Sequence, residues 1–187
     1  MTAKYGRPHH RGYRFETTRR ELERIRASQV DGRNHDVTLY IRKGEQIVVI
    51  AKHIYPPGLY RAPSGGLKPG ESFESGIHRE VAEETGCRIS IDKFLLQTAV
   101  RFHHVDDSVP WRSFVFLADY LDGDFEYTDR HEIREVRLAG WAEFVSFGRI
   151  MRATETGGLH YRAALHETVA ALVQGPTSRP PHGGFEA

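Results

Sequence analysis

The sequence predicts an α/β chain in which helices cover both faces of one mixed β-sheet, an α/β/α sandwich. Three observations predict it. Runs rich in β-branched and aromatic residues recur through the middle of the chain. A single segment of helical character, following Ser72, sits among those runs. Two further helical stretches close the chain, Ala142–Ala153 and Leu159–Val173.

The elements follow in order. Residues 1–15 are rich in Gly, His and Arg and read as a loose arm. Thr17–Ser28 reads as a short helix with Leu22 and Ile25 as its apolar residues, ended by a turn at Asp31–Gly32. Asp36–Arg42 and Gln46–His53 read as strands joined through Lys43-Gly44-Glu45, a hairpin signal. Tyr55-Pro56-Pro57-Gly58 makes a loop, and Leu59–Pro63 a short strand. In the central helix Ser72 suits the N-cap, Glu74 the first turn and Gly86 the C-terminal stop, with Ile77 and Val81 as the buried stripe. Ile89–Ile91, Phe94–Val105 and Trp111–Tyr120 are strand-like, Asp122-Gly123-Asp124 is a turn, and Glu135–Leu138 is a further short strand. From Gly175 the chain is rich in Pro and Gly, the composition of a disordered tail.

Composition bounds the function. With 187 residues the chain suits one domain with extensions. Its 39% hydrophobic and 27% charged content is ordinary for a globular protein, and a formal net charge of +1 selects neither nucleic acid nor membrane. One cysteine permits no intrachain disulfide, in keeping with a reducing compartment. No apolar run approaches the length of a membrane span and the N-terminus lacks the apolar stretch of a signal peptide, so a cytoplasmic protein without a membrane partner is expected. The eleven histidines are scattered and suggest no metal centre. His103-His104-Val105-Asp106-Asp107 matches no zinc spacing and reads as a polar strand end and turn.

The chemistry concentrates in Gly65–Cys87. Glu80, Glu83 and Glu84 stand at i, i+3 and i+4, on one helix face. Like charges at that spacing destabilise a helix by about 0.2–0.5 kcal/mol per pair. Three crowded carboxylates call for a cation, and hard divalent ions take oxygen ligands and also bind phosphate oxygens. The residues therefore point to a metal-assisted enzyme acting on phosphates.

This segment resembles the Nudix box, G-x5-E-x7-R-E-U-x-E-E-x-G-U with U a bulky aliphatic. Gly65, Glu71, Arg79, Glu80, Val81, Glu83, Glu84 and Gly86 fall on its positions, and Cys87 at the last U is a mild departure. The resemblance implies the Nudix fold over residues 36–174, preceded by the arm and short helix of 1–35 and followed by the tail of 175–187. It implies Mg²⁺, with Mn²⁺ as an alternative, held by Glu80, Glu83 and Glu84 and by the backbone carbonyl of Ser64, the residue before the box glycine. Glu83 and Glu84 would be the strongest ligands, with one of the cluster orienting the attacking water. Arg79 would hold a carboxylate in place with its guanidinium fork, and Glu71 would be a structural or outer carboxylate. A further catalytic carboxylate would come from the loop before the late strand. Glu135 is preferred there over Glu132 because it directly precedes that strand, and Glu126 is a weaker third choice.

The substrate is not readable. Neither a Pro nor a Tyr stands at the offsets past the box that mark ADP-ribose and dinucleoside polyphosphate hydrolases, and an NADH-type array is absent. The Pro63-Ser64-Gly65-Gly66 entry weakly resembles that of nucleoside-diphosphate-sugar hydrolases. Tyr60, Phe102 and Trp111 are candidates to stack on a base, although core packing is the commoner role of such residues. Arg61, Arg101 and Arg112 are candidates to meet phosphate or ribose. The expected activity is hydrolysis of a diphosphate linkage in a small nucleotide. The alternative is a non-catalytic Nudix-like module that senses a nucleotide or binds a partner. Near-neutral charge argues against a nucleic-acid partner, while Arg7, Arg11, Arg14, Arg19 and Arg20 leave an RNA-cap substrate open. Many members of the family are dimers, so a homodimer is one state the resemblance allows.

Overall fold

A computed structural model of the chain describes residues 1–29 and 32–175. The elements run α1 (Thr2–Tyr5), β1 (His9–Glu16), α2 (Arg19–Ala27), β2 (His35–Lys43), β3 (Gln46–Lys52), β4 (Ser64–Gly65), α3 (Phe73–Thr85), β5 (Cys87–His104), β6 (Asp107–Gly123), β7 (Ile133–Gly140), α4 (Trp141–Arg152) and α5 (Gly157–Gln174). A seven-stranded sheet has the order β1-β5-β6-β2-β3-β7, with β4 pairing β2 off this path. The β1–β5 and β2–β6 pairs are parallel, and the other ladders antiparallel. This is the mixed sheet that was expected.

Side-chain alternation along β2 divides the interior in two. Val37, Leu39 and Ile41 face one side, where they join Leu67 and the Ile77 and Val81 stripe of α3. Tyr40 faces the other side, among Phe144, Phe147 and Met151 of α4 and Tyr161, Leu165 and Val169 of α5. With both faces covered, β2 is buried without interruption from Asp36 to Ile41. Leu22 of α2 joins the second layer.

Three expectations need correction. The arm is not loose: β1 pairs along its whole length with Leu96–His103 of β5. Its alternate residues Tyr13 and Phe15 pack on the core, with ring centroids 5.6 and 6.0 Å from that of Tyr161. Leu59–Pro63 is no strand, since only Arg61 bridges to Ile50. The two strands expected after the box are one, β5, carrying three register shifts against β6. Bulges allow such a strand to bend without breaking its ladder. Of the turn at Asp31–Gly32, Asp31 lies outside the described residues, as do residues 176–187 of the C-terminal tail. Among the described residues no helix is long and apolar enough to cross a membrane.

Candidate active site

Helix α3 carries the acidic cluster and is well terminated. The Ser72 hydroxyl accepts the Ser75 N–H at 3.1 Å. At the other end Gly86 takes a left-handed conformation, φ 67°, that strains residues with a Cβ. Glu84 follows Ile77 and Val81 at i+7 and i+3, so it lies toward the buried stripe, whereas Glu83 stays partly exposed.

Arg79 ties the cluster together. Its Nε and Nη2 donate to the two carboxylate oxygens of Glu71, both at 2.8 Å. Its Nη1 donates to Glu80 and to Glu83, both at 2.9 Å. Nη2 also reaches the Gly66 carbonyl at 3.1 Å, joining helix to loop. These Arg79 hydrogen bonds, helped by the Lys68 N–H, hold the Glu71 carboxyl down at about 2. Burial instead raises Glu80, against the pull of Arg79. Glu80 lies so close to Gly65 that a Cβ there would collide with its carboxylate.

Glu84 sits deeper, 3% exposed. It accepts the Ser64 N–H at 2.8 Å and faces the Arg61 guanidinium at 3.7 Å. Burial nonetheless pushes its carboxyl up to about 7. The Ser64 hydroxyl accepts from Arg61 at 2.8 Å and from Arg162 of α5 at 3.0 Å. Arg162 also donates to Asp36 at 2.6 Å and to Thr38 at 3.0 Å. Two guanidiniums thus converge on one hydroxyl beside β2, each also facing a carboxylate, Glu84 for Arg61 and Asp36 for Arg162.

The loop before β7 docks on the end of α3, where the Thr128 and Asp129 N–H groups donate to the Glu83 carbonyl at 3.1 and 3.0 Å. This docking brings Asp129 and Glu132 to a cleft of about 560 Å³. Ser64, Arg61, Arg79, Glu80, Glu83, Glu84 and Trp111 line the same cleft. Glu132 is paired with Lys52 of β3, which lowers its carboxyl below the usual range.

Several candidates lie elsewhere. Glu135 is one of them: it accepts the Tyr60 hydroxyl at 2.6 Å, and neither residue lines the cleft. Val136 packs on the α3 layer, so its neighbour Glu135 points to the opposite side, where Tyr60 holds it. Phe102 is 4% exposed within the core and does not line this cleft. Arg61, 3% exposed, spends its donors on Tyr55, Ala62 and Ser64 and so holds the site's own residues. Arg101 and Arg112 stand on the exposed sheet face, outside the cleft lining. The His103–Asp107 stretch is a strand end and hairpin turn, with Asp107 paired to Arg26 at 2.7 Å.

Sequence reasoning missed Asp36, Lys52 and Arg162. One signal was present for Asp36, an acidic residue leading an otherwise apolar, fully buried strand. Arg162 gave a comparable signal inside an apolar closing helix.

The donor set fits a hard divalent cation. Among the described residues no three acidic or imidazole groups are already gathered as a cage. However, Glu80 and Glu83 converge on a single guanidinium nitrogen, and Glu84 is a buried carboxyl, raised by its burial, whose ionised form a further cation would favour.

Comparison with known proteins gives the family. The NUDIX domain family model matches residues 32–160. The chain belongs to the Nudix family. Members of this family generally use divalent metal ions. The chain is 29% identical over 101 residues to the NAD-capped RNA hydrolase NudC of Chromobacterium violaceum, a match covering 54% of this chain and 34% of that protein. It is 31% identical over 134 residues to NudC of Mannheimia succiniciproducens, covering 63% and 45%. The chain thus spans less than half the length of these Nudix relatives. Among solved structures, a UDP-X diphosphatase shares the fold with a TM-score of 0.56 at 18% identity, covering 82% of this chain and 71% of that one.

Proposed function

We propose that this Nudix protein is a divalent-metal-dependent hydrolase of the diphosphate linkage in a nucleoside diphosphate joined to another group, such as a nucleotide sugar or ADP-ribose. One observation carries the reading. Glu80, Glu83 and Glu84, the Ser64 loop, Lys52, Arg162 and Glu132 line a single cleft, in which acidic groups suited to a cation lie beside basic groups suited to phosphate. The names of the relatives support it, because NAD and UDP-X both contain a diphosphate bridge.

In this reading Glu80, Glu83 and Glu84 hold the cation, Mg²⁺ or Mn²⁺, with the Ser64 carbonyl beside them. When bound, the ion neutralises the diphosphate and activates the attacking water. Arg79 keeps Glu80 and Glu83 aimed into the cleft while Glu71 anchors its other edge. Arg61 and the Ser64 N–H fix Glu84. Glu132, kept ionised by Lys52, accepts a hydrogen bond from the water and orients it. Trp111 offers the cleft an aromatic wall for a base. A cytoplasmic location, a small-nucleotide substrate and a homodimer belong to this same proposal.

The test is a chromatographic screen for the monophosphate products formed by the full chain with Mg²⁺ and Mn²⁺, run on ADP-ribose, nucleotide sugars, dinucleoside polyphosphates, NADH, NAD-capped RNA and nucleoside triphosphates. Turnover on one class is expected, falling by about a hundredfold or more in Glu83→Gln and Glu84→Gln. Near-wild-type rates in either variant would overturn the metal assignment. Nucleotides that stabilise the fold without turnover would instead favour a sensing module.

A further inference from the structure

A second, smaller cavity opens off the main cleft. Its volume is about 170 Å³, and it lies between α2 and α5. Ile25, Phe102, Trp111 and Tyr161 give it apolar and aromatic walls, and Glu21, Asp36 and Arg162 line its polar side. Asp36, Ser28, Trp111 and Arg162 line both cavities, so the two meet there. Ligand pockets commonly measure about 300–1,000 Å³. The main cleft falls in that range, whereas the slot is smaller, of a size for one flat ring system.

The polar groups of the slot are unequally satisfied. Glu21 is fully engaged, accepting the Gly157 and Gly158 N–H groups at the start of α5, both at 2.9 Å. The Tyr161 hydroxyl pairs with Thr98 at 2.8 Å. Asp36 differs. Its Oδ2 accepts from Arg162, but its Oδ1 is buried and has no donor among the described residues. The residue is only 5% exposed. A buried carboxylate oxygen without a donor is costly, and the cost is removed by any group that brings an N–H to it. Arg162 already supplies the positive charge, so the missing partner is a neutral donor.

We propose that this slot is a specificity subsite for a flat ring carrying an N–H donor on its edge, either the amino-bearing base of the nucleotide or a carboxamide-bearing ring in the group joined to it. The proposal rests on the diphosphate-cleaving reading of the adjoining cleft. The apolar walls sandwich the ring, Asp36 Oδ1 accepts its edge N–H, and the diphosphate lies over the acidic cluster. Rings that present only acceptors at that edge meet the lone pairs of Asp36 and are rejected.

Titration calorimetry on the full chain with Mg²⁺, using two matched pairs of nucleotides, tests this. AMP and purine riboside 5′-monophosphate differ only in the exocyclic amine. Nicotinamide mononucleotide and nicotinic acid mononucleotide exchange a carboxamide for a carboxylate. The wild type is expected to favour the donor member of one pair by about tenfold or more, and the pair that responds names the ring. In Asp36→Asn the amide oxygen turns to Arg162 and its NH₂ to the slot, so the preference is lost or reversed. Ile25→Phe fills the slot without touching a charge, which guards against loss of the fold in the first variant. It should weaken the favoured nucleotide by about tenfold while leaving the affinity for inorganic pyrophosphate unchanged. Equal binding within both pairs, or a preference that survives both variants, would overturn the subsite. Failure of the hydrolase reading shows separately, as a binding preference without cleavage of any diphosphate substrate into its two monophosphates.

Discussion

Arg79 shows how one side chain can organise a site. Its guanidinium meets Glu71 bidentately and shares a single nitrogen between Glu80 and Glu83. A lysine carries the charge but not the fork. We therefore expect Arg79→Lys to keep the fold and lower kcat about 10–100-fold, with a weaker Mg²⁺ dependence in a metal titration of the rate. A rate unchanged at saturating metal would reduce Arg79 to a surface ion pair. The downstream carboxylates make a second residue-level case. Glu132 lines the cleft, whereas Glu135 is held by Tyr60 on the other side of the sheet. Glu132→Gln should accordingly lower kcat more than Glu135→Gln, the reverse of the ranking that position in the sequence favours. If Glu135→Gln is the more damaging, the water-orienting role assigned to Glu132 is wrong.

Among the elements, β1 departs furthest from its sequence appearance. Arg, His and Gly dominate it, yet it pairs in parallel with β5 and lays Tyr13 and Phe15 against α5. Its sequence is polar because the other face of the strand is exposed. Deleting residues 1–16 would remove those aromatics and uncover a long β5 edge, the kind of edge that invites aggregation. We expect a loss of roughly 2–3 kcal/mol from the two half-buried rings, read as a lower urea midpoint. An unchanged midpoint would mean that the strand adds nothing to stability. The hairpin of β2 and β3, the box helix and the closing helices were all legible, because each carries its own periodicity and its own start or stop signal. The loop before β7 was not, since its place depends on two backbone N–H groups meeting the end of α3.

Across the whole molecule, stability is tied to pH through a buried histidine. His166 of α5 lies in the layer between the sheet and α4, its Nδ1 2.5 Å from the Tyr40 hydroxyl and its Nε2 without a partner among the described residues. Burial first, then the charges of Arg162 and Arg61, lower it to about 3. The folded state therefore refuses a proton that the unfolded chain takes up below about 6.5. This contribution is complete above pH 6.5 and is lost as pH falls toward 3, at about 1.4 kcal/mol per pH unit. His166→Leu removes the titration, although it leaves Tyr40 without its partner. The stability gap between wild type and variant should thus narrow as pH is lowered from 7 to 5 in urea melts. A gap independent of pH would show that His166 takes up its proton as readily in the fold as in the unfolded chain.

The sequence by itself determined the family, the α/β/α class and the chemical identity of the acidic cluster, because helical spacing, capping residues and the box pattern are local properties of adjacent residues. Only the tertiary structure decided which distant residues join that cluster. Lys52, Asp36 and Arg162 come from β3, β2 and α5, and they reach the cleft because the sheet order and the packing of α5 bring them there. It likewise separated Glu132, which lines the cleft, from Glu135 and Phe102, which do not, since register and burial decide where a side chain ends up. Partnership across the fold depends on long-range register, and no single stretch of sequence carries that information.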